Sequence, residues 1–161
     1  MTALIGATAL VIAAAPGAAK DSLGVFSEWG AFRDPSVPRC YAIAKAAPSR
    51  RSRDNEPFAT IGTWPRKNLR GQVHFRLSRM LSARPAIQLR FGTRTFDLTG
   101  GGGDAWAKDR TMDAAIVAAM RSAQQMTIRA TDSRGRRFSD TYPLTGAATA
   151  MDAATLACAH R

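Results

Sequence analysis

The side chains able to do chemistry are few and far apart. His74 and His160 are the only histidines. The order Val-His-Phe-Arg-Leu around His74 puts that ring on the polar side of a strand, with no Cys, Asp or Glu at metal-ligand spacing. No zinc site is expected. The run Gly100–Gly103 is followed by Asp104-Ala-Trp106 rather than by Gly-Lys-Ser/Thr and a helix start, so it reads as a strand connection and not as a phosphate cradle. There is no Gly-x-Ser-x-Gly elbow, no His-Glu-x-x-His helix and no closely spaced acidic pair. The expectation is a protein with no catalytic residues, no metal and no cofactor, that is, not an enzyme.

Two cysteines, Cys40 and Cys158, allow a single pairing. In an oxidising compartment a bridge between them would close a long loop and tie an early strand to the carboxyl end. Two separate buried thiols are the alternative. The more telling chemistry is charge. Of a formal net charge of +11, Lys45 to Arg94 contributes +10, from twelve basic residues against Asp54 and Glu56. Arg50, Arg51 and Arg53 fall in a Pro/Ser-flanked loop and Arg66, Lys67 and Arg70 in the next connection. If these six converge they make an anion-binding surface; if not, they are solvated charges on several faces. Trp64 beside Arg66 and Lys67 has the composition of a stacking site for nucleic acid, but Trp64 and Trp29 are both expected in the core, as large aromatics usually are.

The elements that must carry these groups follow from periodicity. Val73, Phe75 and Leu77 alternate inward. Ile87–Phe91 alternates likewise, and folding about Gly92-Thr93 pairs Leu89 with Phe96 and Ile87 with Leu98, with Gln88 opposite Asp97 on the other face. Further strands are expected at Trp29–Arg33, Cys40–Ala44, Phe58–Trp64, Met126–Thr131 and Phe138–Tyr142, the last two joined through the turn Asp132–Gly135. Met112, Ile116 and Met120 at fourfold spacing predict a helix over Asp109–Ser122, capped by Asp109 or Thr111. The Ala-rich stretch Ala147–Ala159 predicts a second helix or turn, with Leu156 and Cys158 directed toward the body. Seven to eight short antiparallel strands with one or two helices imply a β-sandwich or barrel.

Met1 to Ala19 carries no charge, and its apolar run Ala3–Ala15 is too short to cross a bilayer. With Pro16, Gly17 and Ala19 ahead of Lys20, it reads as a secretory signal peptide cleaved after Ala19, a buried helix being the alternative. Residues 20–161 are then expected to fold as a single domain.

Ser22–Ala44, containing Gly-Val-Phe-Ser-Glu-Trp-Gly and Arg39-Cys-Tyr-Ala-Ile-Ala44, resembles the opening of the invasion-associated locus B (IalB) proteins. Ala59–Pro65, Asp113–Met120 and Ala147–Cys158 are similar to further blocks of that family, in the same order. Members commonly carry a cysteine soon after the first tryptophan, and here none stands between Trp29 and Cys40. The resemblance implies a periplasmic or envelope-associated protein with an immunoglobulin-like β-sandwich, a disulfide and no assigned enzymatic activity. The resulting expectation is an exported basic protein that binds or organises an anionic envelope component, with no specific nucleic acid as partner and no transmembrane span in the mature chain. The alternative is a protein-interaction module in envelope assembly or host-cell contact.

Overall fold

A computed structural model describes residues 19–159; the proposed leader, save Ala19, and His160 lie outside them. The described chain is mostly β. Its strands are β1 (Asp21–Phe26), β2 (Trp29–Asp34), β3 (Arg39–Lys45), β4 (Phe58–Trp64), β5 (Leu69–Arg76), β6 (Ile87–Phe91), β7 (Arg94–Gly101), β8 (Asp104–Trp106), β9 (Gln125–Thr131) and β10 (Arg137–Pro143). The helices are α1 (Arg110–Ser122) and α2 (Ala147–Ala159).

All pairings are antiparallel, and the ten strands hydrogen-bond in the order β1-β2-β3-β4-β5-β8-β7-β6-β9-β10. The count exceeds the seven or eight expected because β1 and the three-residue β8 add to the alternating segments. β7 joins the two halves of this sheet: Arg94–Leu98 pairs with β6, while Thr99–Gly101 pairs with β8. The halves then pack inner face to inner face. Phe75 of β5 meets Tyr142 of β10 with ring centroids 5.9 Å apart. Trp29 of β2 donates its indole N–H to the Pro143 carbonyl at 2.9 Å. The arrangement is consistent with an immunoglobulin-like sandwich whose two layers share one strand.

Period-two alternation sets the inner faces. Val73, Phe75, Leu77 and Leu89 are fully buried, and Ile87 and Leu98 nearly so. The hairpin about Gly92, whose φ is +57°, has the register read from the sequence: Leu89 opposite Phe96, Ile87 opposite Leu98, Gln88 opposite Asp97.

The helices close the rest of the inner side. α1 begins where Asp109 accepts a hydrogen bond from the Met112 amide at 2.8 Å, and it buries Ile116 and Met120. α2 lies along β1–β4 and presents Ala147, Ala150, Met151, Ala154 and Cys158 to the core, positions that share one face of a 3.6-residue period. Leu156, expected to point inward, is 64% exposed because it stands two residues before Cys158, half a turn round the helix. Cys40 of β3 and Cys158 of α2 are bonded, with Cα atoms 5.9 Å apart. No helix among the described residues is long and apolar enough to cross a membrane.

Candidate functional site

The connection from Ala46 to Pro57 and the outer face of the β6–β9–β10 half bring several arginines together, Arg50, Arg51, Arg129 and Arg137 among them. On those strands the outward positions are polar, and Gln88, Arg129 and Ser139 stand in one row by register. The connection is pinned from below. Arg53 donates to the Ala47 carbonyl at 2.6 Å, the nearly buried Arg79 donates to the Ser52 carbonyl at 2.6 Å, and Ala47 N–H bonds to Thr141 of β10 at 2.7 Å. Held in this way, Arg50 and Arg51 reach over the strands. Both line a shallow groove with Arg129, Arg137, Gln88 and Ser139, and Arg51 donates to the Arg137 carbonyl at 3.4 Å. These four arginines have no acidic partner among the described residues within 4.0 Å. Their fields therefore add at a surface open to solvent.

The six basic residues expected from the sequence do not meet at one place. Arg50 and Arg51 share the groove. Arg53 turns inward toward the connection it closes and the buried Asp140. Arg66 and Lys67 occupy a 3₁₀ turn, Pro65–Lys67, at the far end of β4, and Arg70 follows in β5. Seven residues of β4 separate the two basic ends, about 20 Å at strand rise and well beyond the ~8 Å over which exposed charges act in physiological salt. Arg66 lies instead in a cleft with Arg33, Arg39 and Cys158, and Arg70 in another with Arg110 and Cys158. What the sequence left out were Arg129 and Arg137. Each alternates outward on its strand, but nothing local says that the Arg50–Arg51 connection crosses over them.

A second surface covers the outer face of β2–β5 and β8. Register places Thr60, His74 and Trp106 in one row, Phe58, Arg76 and Asp104 in the next, and Phe32, Tyr41 and Gly62 in a third. Trp64, expected in the core, is on this outer face and lies across Gly62: a Cβ added there would stand 2.5 Å from two of its ring carbons. Phe32 lies over Gly30 in the same way, at 2.8 Å. His74 Nε2 donates to Asp104 Oδ1 at 2.9 Å, Arg76 donates to Asp104 Oδ2 at 2.7 Å, and Thr60 Oγ1 is 3.5 Å from His74 Nδ1. No group of three or more His, Cys, Asp or Glu side chains able to hold a metal occurs among the described residues.

The class of protein is thus a disulfide-closed antiparallel β protein with two helices on its inner side and a charged and an aromatic outer face. Residues 67–155, more than half of the chain, match the family described as Invasion associated locus B (IalB) protein, and the chain belongs to that family. No curated protein and no solved structure matches it.

Proposed function

We propose that this IalB-family chain is an exported, non-enzymatic envelope protein that binds an anionic envelope component through the groove of Arg50, Arg51, Arg129 and Arg137. The observation that carries the reading is the convergence of those four cations on a connection held rigid by Arg53 and Arg79. A preorganised cationic surface costs little ordering entropy when a multivalent anion arrives. Export is supported by the Cys40–Cys158 bond, which fits an oxidising compartment, and by the uncharged leader ahead of Lys20. The ligand chemistry is a repeated phosphate or carboxylate, as lipid head groups or an acidic polysaccharide would present.

The test is binding of the purified protein to phosphatidylglycerol vesicles and, in a separate arm, to polygalacturonate, each at low and high salt. Basic side chains near an anionic surface contribute about 1 kcal/mol each, so the triple variant Arg50→Gln/Arg51→Gln/Arg129→Gln should bind roughly a hundredfold more weakly and with a flatter salt dependence. The same change at Arg66, Lys67 and Arg70 should matter much less. Equal losses from the two triple variants would reduce the attraction to net charge. Binding that is insensitive to salt would point to an apolar protein interface instead.

A further inference from the structure

We infer that the outer face of β2–β5 and β8 is a glycan-binding platform, on which Phe32, Trp64, Phe58 and Trp106 stack against pyranose rings while His74, Asp104 and Arg76 hydrogen-bond to sugar hydroxyls. This site is separate from the arginine groove and does not depend on it.

The argument begins with how the rings lie. On a strand, residues two apart share a face, and a side chain normally stands off the sheet because its neighbours also have side chains. Gly30 precedes Phe32 by two residues and Gly62 precedes Trp64 by two, and in each pair the ring occupies the space a Cβ would fill. The ring therefore lies down on the backbone and turns its opposite face outward. Tyr41 stacks with Phe32, offset, with centroids 5.8 Å and planes 29° apart, and its own ring is covered by Arg39. Trp106 is 37% exposed and packs beside His74 at 5.2 Å, and Phe58 meets the other side of His74 at 5.9 Å. Successive strands are ~4.8 Å apart, so aromatic surfaces on β2, β4 and β8 recur across the sheet at the scale of a sugar chain.

The polar groups choose the occupant. An apolar protein surface would strip water from the partly exposed carboxylate, guanidinium and imidazole at the centre of the face and offer nothing for the bonding positions they do not use on one another, at a cost for each. A sugar meets those positions: its hydroxyls both donate and accept, and His74–Asp104–Arg76 offers donors and acceptors side by side with the Asp104 charge offset by Arg76. Their side chains keep 22–34% of their surface open, so the network is accessible. Single-stranded nucleic acid would also stack, but its phosphates gain from a cationic track, and here a carboxylate stands in the middle of the rings.

The test is titration of the purified protein with cellohexaose, chitohexaose and maltohexaose, followed by tryptophan fluorescence and calorimetry. Trp29 is fully buried, so the fluorescence change reports Trp64 and Trp106. At least one sugar should give saturable binding that persists at about 0.5 M salt, since no net charge drives it. Trp106→Ala should weaken that binding about tenfold, as loss of one stacked ring does on comparable platforms. Gly62→Ala, which displaces the Trp64 ring without removing any aromatic residue, should weaken it too, and Arg50→Gln/Arg51→Gln should leave it unchanged. Circular dichroism of each variant checks the fold. Absence of saturable binding to all three sugars up to about 10 mM would overturn the proposal. So would binding that survives both Trp106→Ala and Gly62→Ala, or a thymidine oligonucleotide that binds where no sugar does.

Discussion

Asp132 and Asp140 stand on opposite sides of one turn and titrate in opposite directions. Burial pushes the Asp132 carboxyl up, but the Arg136 and Arg134 amides and the Arg136 guanidinium, all donating within 3.0 Å, outweigh it and hold the group below its ordinary 3.8. Asp140 is pushed above 3.8 by burial, against the Ser78 hydrogen bonds and the charges of Arg53 and Arg79, and its Oδ1 has no partner. The signs follow from linkage. Stability from Asp132 is present above pH 3.8 and is lost as pH falls through its lowered folded value; that from protonated Asp140 is present below 3.8 and is lost as pH rises through its raised one. Asp132→Asn should therefore melt below the wild type at pH 7, with the gap narrowing as the pH drops under 3.8. For Asp140→Asn, the wild type should gain on the variant as the pH falls; melting curves over that range check both. The turn at Asp132–Gly135 was readable from residue types, whereas Asp140 was not: its partner Ser78 lies 62 residues away.

At the scale of elements, the bond between β3 and α2 carries a consequence for the carboxyl end. α2 packs through three buried alanines, which supply little apolar area each, and through the single larger side chain of Met151, so the disulfide is a principal tie. Cys158→Ser should lower stability by about 2–5 kcal/mol, read by denaturant unfolding, and should free α2 before the strands as judged by amide hydrogen exchange. Which elements could be read in advance follows from their signals. Alternation marks β5 and the β6–β7 hairpin, and α1 shows fourfold apolar spacing after a capping Asp. β1 has no such mark: its Asp-Ser-Leu-Gly-Val-Phe breaks register between Ser22 and Gly24, where Gly24 takes a φ of +137°. β8 is three residues long and exists only because β5 and β7 are there to pair with it. The aromatic platform did leave a trace, the Gly-x-Phe and Gly-x-Trp spacings at Gly30 and Gly62, which in a strand signal a ring lying flat.

Over the whole molecule, β7 is the seam. Its first five residues belong to one layer and its last three to the other, and Gly100 stands where they cross. A Cβ there would run into the Asp104 carbonyl and come within 2.7 Å of Ile87, so Gly100→Ala should cost about 1–3 kcal/mol by overpacking and shift the unfolding midpoint accordingly. Sequence alone could treat Gly100–Gly103 only as a connection, since the reason for a small residue is a neighbouring backbone that local pattern does not disclose. The long bridge, finally, makes a covalent ring. Cys40 and Cys158 are 118 residues apart, and everything between them, including the exposed Arg50–Arg51 connection, is held in that ring, with β1 and β2 as a tail outside it. A protease that cuts once between the two cysteines opens the ring without releasing a fragment. The clipped protein keeps its mass, apart from one added water, until a reductant separates the pieces. A single cut in the exposed Arg50–Arg51 connection would thus leave the molecule in one covalent piece.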